Sequence, residues 1–160
     1  MKAWPAAAFA LAVAIAAPAC AAAFNPVEFF RGKTHGEGML KIIFQSPKKM
    51  SVDSEGMAEK DGSLVLKQII HEPGKEPRTR YWRMRQTGPG RFEGTLTDAA
   101  SPVRVDVTKE GLRIRYTAKD HLNFDQTLTP VSATEVHNSM RVKRFGLTVA
   151  RYEETIRKVD

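Results

Sequence analysis

Beyond residue 32 the chain alternates. Val103-Arg104-Val105-Asp106-Val107 and Leu112-Arg113-Ile114-Arg115-Tyr116 each set apolar and charged side chains on successive positions, the two-residue period of a strand with one dry face and one wet face. Turn-forming clusters interrupt such runs about every 8–12 residues. They fall at Ser46-Pro47, Asp61-Gly62, Pro73-Gly74-Lys75-Glu76-Pro77, Gly88-Pro89-Gly90, Ser101-Pro102, Glu110-Gly111, Lys119-Asp120, Pro130-Val131-Ser132-Ala133 and Phe145-Gly146. Each link is too short for a parallel crossover, so strands adjacent in sequence are expected to be adjacent in space.

The predicted class is all-β: an antiparallel up-and-down meander of about ten strands forming a lipocalin-like barrel or half-barrel, with a short N-terminal helical turn. The helical turn comes from Asn25-Pro26-Val27-Glu28, an N-cap residue followed by proline at the first helical position, and it predicts a helix over Pro26–Phe30. In the hairpin after Val107, a turn at Glu110-Gly111 sets Val107 opposite Ile114, Val105 opposite Tyr116 and Asp106 opposite Arg115. A turn at Lys109-Glu110 keeps the same faces but sets Arg104 against Arg115, a like-charge pair, so the first register is expected. Asp61-Gly62 is expected to pair the Met57 region with Leu64-Val65-Leu66.

With 160 residues, 42% hydrophobic and 27% charged, the composition suits one globular domain, and a single cysteine excludes a disulfide scaffold. Met1-Lys2 and the uninterrupted apolar run at residues 6–17 read as a signal peptide over residues 1–23, since a bilayer-spanning helix needs about 20 apolar residues. The expected location is periplasmic, with residues 24–160 forming the β-domain. Ala19-Cys20-Ala21 admits two outcomes: cleavage at a small-residue site as late as Ala23, or lipidation of Cys20 as an outer-membrane-anchored lipoprotein. The formal charge of +7 falls to +6 without Lys2, and no five like charges stand in a row. That argues against a nucleic-acid tail and suits anionic head groups or acidic small molecules.

Phe29-Phe30-Arg31-Gly32, Gly36-x-Gly38, Arg80-x-Trp82, Gly90-x-Phe92-x-Gly94, Met140 and Phe145-Gly146-Leu147-Thr148-Val149-Ala150 occur in an order and spacing that resembles the DUF3833 family of uncharacterised exported bacterial proteins, lipoproteins among them. The resemblance implies a lipocalin-like β-fold, an envelope location and an association with lipid modification. It supplies no catalytic residues.

Catalytic and metal motifs are absent. His35, His71, His121 and His137 lack H-x-x-x-H or H-x-H spacing, and there is no G-x-S-x-G elbow, P-loop or dinucleotide glycine pattern. Asp120-His121 with Asp125 would orient an imidazole but lacks a nucleophile. Glu153 and Glu154 are adjacent, hence on opposite strand faces. No enzymatic activity, cofactor or metal is expected.

The most informative stretch is Arg78-Thr79-Arg80-Tyr81-Trp82-Arg83-Met84-Arg85. Alternation puts Arg78, Arg80, Trp82 and Met84 on one face, and burial of Trp82 and Met84 takes Arg80 toward the lumen. An inward arginine without an acidic neighbour must be hydrated or meet an anion. An acidic amphipath meets that need, its head on Arg80 and its tail along Trp82 and Met84; otherwise Arg80 covers Trp82 with its stem and keeps its head in water. Tyr116, in phase with Leu112 and Ile114, and Tyr152, in phase with Ala150 and Ile156, complete the candidate ligand-binding set. Tyr81, Arg83 and Arg85 form an outward basic stripe suited to anionic lipid heads. The expected function is non-enzymatic binding or transfer of an acidic amphipathic ligand, a lipid, in the envelope. The rival is an assembly protein with a packed interior acting through its basic exterior.

Overall fold

The Asn25 side chain accepts a hydrogen bond from the Val27 N–H at 3.0 Å and starts helix α1 over Pro26–Phe30, as the sequence predicts. The computed structural model describes residues 24–159, so the expected signal peptide and Cys20 lie outside the described residues. After α1 come β1 (Gly32–Ile42), β2 (Lys48–Ala58), β3 (Leu64–His71), β4 (Arg78–Gly88), β5 (Arg91–Leu96), β6 (Val103–Thr108), β7 (Gly111–Thr117), β8 (Asn123–Pro130), β9 (Glu135–Arg144) and β10 (Leu147–Val159). Every strand pairs antiparallel with the next, and β1 pairs with β10 from Lys33↔Val159 to Ile42↔Ala150, so the sheet closes. Of the two predicted forms, barrel or half-barrel, the molecule is the closed barrel. Closure leaves no edge to aggregate.

One end is plugged. Helix α1 packs on β2 and β3, and Phe29 and Phe30, in edge-to-face contact at 4.9 Å, enter the core beside Leu64 and Leu66. The approach depends on Gly56, where an added Cβ would stand 1.9 Å from the Phe30 carbonyl oxygen. Gly56→Ala is therefore expected to lower stability by about 1–3 kcal/mol through forced displacement of α1. Gly88→Ala, which meets nothing within 4 Å among the described residues, should move the thermal midpoint little. Equal midpoints for both variants would show that the plug is not held there.

The β6–β7 hairpin corrects the expected register. Its turn is Lys109-Glu110, with Val107↔Leu112, Val105↔Ile114 and Arg104↔Arg115. Gly111 is needed inside β7 instead: its φ is +131° and a Cβ would stand 2.0 Å from the Leu128 carbonyl oxygen. The like-charge pair is offset by neighbours beyond the facing position. Arg115 reaches diagonally to Asp106 at 2.7 Å, and Arg113 holds Asp125 of β8 through two bonds of 3.0 Å. At the other tested turn, Met57↔Val65 and Ala58↔Leu64 pair as expected.

Candidate ligand-binding lumen

The barrel is solid on one side and hollow on the other. Phe92, Leu96, Val103 and Val105 of β5 and β6 pack into the core, whereas side chains from the remaining strands enclose a cavity of about 520 Å³. This lies in the range of about 300–1,000 Å³ used by small-molecule sites. The cavity opens at the end opposite α1, where Arg78, Asp98, Lys119 and Asp120 form part of its lining. Its walls are mostly apolar. Trp82 meets Tyr116 edge-on at 6.0 Å, and Tyr116 stacks on Phe124 at 4.7 Å with 4° between planes.

Two polar groups stand in this apolar space. The first centres on Gln68, whose Oε1 accepts from Arg80 Nε at 2.8 Å and from Trp82 Nε1 at 2.6 Å, while its Nε2 donates to Ser54 Oγ at 3.1 Å. The Arg80 guanidinium lies 5.4 Å from the centroid of the Trp82 ring, a cation–π contact. The second group is Asn138, Tyr152 and Glu154, on adjacent strands β9 and β10. Asn138 Nδ2 donates to Glu154 Oε2 at 2.7 Å. Among the described residues the Asn138 Oδ1 and the Tyr152 hydroxyl are buried without a hydrogen-bond partner, and the hydroxyl lies beside the Glu154 carboxyl. Unsatisfied polar atoms in a cavity wall are places for a ligand or water to bond.

Glycines on β1 make room for this second group. A Cβ at Gly36 would stand 2.0 Å from Glu154 Oε1, and one at Gly38 would stand 2.8 Å from the Tyr152 ring. The Gly36-x-Gly38 pair is thus the bare stretch of wall against which Glu154 and Tyr152 lie.

Burial shifts these groups toward their uncharged forms. Desolvation lowers the Arg80 pKa from that of a free guanidinium, with Tyr116, Asp98 and then Glu154 opposing the shift. Desolvation raises Glu154 above the ordinary carboxyl range, opposed by the Asn138 hydrogen bond and the Arg80 charge. Tyr116 and Tyr152 are raised by burial as well and stay phenols. Among the described residues no carboxylate stands within 4.0 Å of Arg80, whose guanidinium bonds the Gln68 amide oxygen instead.

All five predicted ligand-binding residues, Arg80, Trp82, Met84, Tyr116 and Tyr152, line this one cavity. The structure also corrects the premise about Arg80, which has an acidic group in the same lumen and an amide acceptor on Gln68. Glu154, Gln68 and Asn138 were missed. The signal for Glu154 was its phase: if Tyr152 and Ile156 face inward, so does the residue between them. Asp120, His121 and Asp125 do not assemble, because His121 is exposed and Asp125 is held by Arg113 and Arg141. The stripe of Tyr81, Arg83 and Arg85 is outward but not free, since Arg83 pairs with Glu59 and Asp61.

Comparison with solved structures gives the same fold. An S-type phycobiliprotein lyase, CPES, from Guillardia theta superposes with a TM-score of 0.68 at 7% identity, over 84% of this chain and 90% of that one. Rv2717c from M. tuberculosis gives 0.65 at 13% identity, over 86% and 99%. A DUF3598-family protein of unknown function from Nostoc punctiforme gives 0.64 at 13%, over 86% of this chain and 50% of that one. At such identities the likeness shows a lipocalin-like barrel and nothing finer. No curated protein matches the sequence. The family described as "Protein of unknown function (DUF3833)" matches residues 15–158, and the chain belongs to it.

Proposed function

We propose that the protein binds or transfers an acidic amphipathic ligand, a lipid with a carboxylate or phosphate head, in the bacterial envelope, and that it does so without catalysis. The observation that carries this reading is the Arg80 guanidinium inside an apolar cavity of about 520 Å³, bonded to Gln68 and, among the described residues, facing no carboxylate within ion-pair distance. An anionic head group would take paired N–H bonds from it. The tail would run past Trp82, Tyr116 and Met84, and a head-group hydroxyl or carbonyl would reach Asn138 and Tyr152. The cavity weighs against the packed-interior rival. Export through residues 1–23, with or without lipidation at Cys20, and contact with an anionic membrane surface as the ligand's source belong to the same proposal.

Native mass spectrometry of the gently purified protein tests it. An adduct in the mass range of a fatty acid or phospholipid, lost on mild activation, is expected. A bare chain mass after isolation from cells and after incubation with oleate and phosphatidylglycerol would sink the lipid assignment. The same spectra read the processing: a start at Ala22 or Phe24, or a lipid increment on Cys20, supports the envelope location, and an intact Met1 in the cytoplasmic fraction overturns it.

A further inference from the structure

The outer surface of the barrel is charged. Lys33, Glu37 and Lys41 on β1 and Arg113 and Arg115 on β7 point outward, and this is not the apolar band of a membrane-spanning barrel. Against that background the apolar side chains at one place stand out. The tip joining β1 to β2 exposes Ile43 and Phe44, and the tip joining β9 to β10 exposes Phe145 and Leu147; Phe44 is 101% exposed and Phe145 88%. Both phenylalanines sit at positive φ, +61° and +51°, a backbone state that non-glycine residues adopt uncommonly. Barrel closure sets the two tips side by side, tied by the hydrogen bond from Ile43 N–H to the Val149 carbonyl at 3.0 Å.

The two stretches of chain that form the tips carry charge of one sign. Residues 41–49 carry Lys41, Lys48 and Lys49, residues 141–151 carry Arg141, Lys143, Arg144 and Arg151, and neither stretch holds an acid. Lys41, Arg151 and Arg141 face one another in register across β1, β10 and β9. A row of like charges across a sheet opposes folding, so it fits a role outside the fold. Asp125 meets Arg141 at 3.5 Å, and Lys48 and Lys49 have partners in Glu72 and Glu37. Among the described residues Lys41, Lys143, Arg144 and Arg151 form no ion pair. The inner faces of the same strands, through Leu40, Ile42, Met50, Met140 and Val142, line the lumen.

The geometry points to an anionic lipid bilayer as the partner of this surface: Phe44 and Phe145 insert into the head-group layer, the surrounding lysines and arginines bind lipid phosphates, and the mouth of the lumen faces the membrane. Aromatic side chains favour that interface and basic residues near it add electrostatic attraction. Docking rests on the surface alone. Passage of a lipid between bilayer and lumen rests on the proposed function.

Vesicle co-sedimentation separates the two. The purified protein, its intact mass recorded, should bind vesicles of phosphatidylcholine with phosphatidylglycerol much better than phosphatidylcholine alone, and salt should release it. The double variant Phe44→Ser and Phe145→Ser should bind about tenfold more weakly or worse while its lumen still holds lipid in native mass spectra. In Phe145→Trp, the added indole should be quenched by lipids brominated on their chains. Equal binding by wild type and the double variant, equal binding to neutral and anionic vesicles, or an unquenched indole each overturns the docking surface. So does sedimentation showing that the tips hold two copies of the chain together. Docking without any lumen adduct would instead overturn the ligand reading and leave the surface standing.

Discussion

Replacing Arg80 with methionine should weaken binding of an acidic lipid by about 30-fold or more without lowering the thermal midpoint. The two halves of this result have different causes. A half-buried guanidinium in an apolar lumen that bonds an anionic head contributes about 2 kcal/mol or more to binding, because removing it strands the head in an apolar wall. The folded protein without ligand loses little, since among the described residues Arg80 has no carboxylate in ion-pair contact and its desolvation already lowers its pKa. Methionine fills similar volume against Trp82 without a charge to desolvate. Gln68 keeps its bond from Trp82 Nε1 at 2.6 Å. Titration with oleate and with the corresponding alcohol distinguishes the roles: affinity for the acid should fall and affinity for the alcohol should change little. An equal loss for both would mean that Arg80 acts only by shaping the wall.

Replacing Glu154 with glutamine should flatten the pH dependence of stability above the ordinary carboxyl range and raise stability there by about 1 kcal/mol. Burial raises the pKa of this carboxyl in the folded protein, so the folded chain holds a proton that the unfolded chain has released. Stability from this group is fully present below the unfolded carboxyl pKa and is lost as pH climbs through the raised folded value. Asp53, Asp61, Glu72 and Asp125 act in the opposite sense, held below their ordinary values by hydrogen bonds and ion pairs, and their contributions are lost as pH falls. They are common to wild type and variant and cancel in the difference. Binding follows the same proton: ionised Glu154 places a competing negative charge in the lumen with Arg80, so affinity for an acidic lipid should drop with rising pH in wild type and not in the variant. Parallel stability curves and parallel affinity curves would show that Glu154 does not titrate in this window.

Strand identity was legible because it is local. Alternation in β4 alone assigns Arg80, Trp82 and Met84 to one face, and burial of the tryptophan and methionine says which face is inside. Tyr116 and Tyr152 followed by the same count. The β6–β7 register was misjudged because the facing pair was weighed alone, while the arginines are compensated by Asp106 diagonally and Asp125 one strand further on. Glu154 escaped for a related reason: a carboxylate reads as a surface residue until the glycine wall opposite it is known, and Gly36 is 118 residues away in sequence.

The chain by itself determined a meander of strands with one dry face, since side chains on an extended backbone alternate whatever surrounds them. It also determined which arginine and which aromatics share that face. Only the tertiary structure decided that the dry faces enclose a space, because an interior volume is the difference between the circumference of a closed sheet and the summed bulk of side chains arriving from distant strands. The same closure brings Phe44 beside Phe145 and Glu154 into one chamber with Arg80, since β1 and β10 meet only when the sheet joins its own ends.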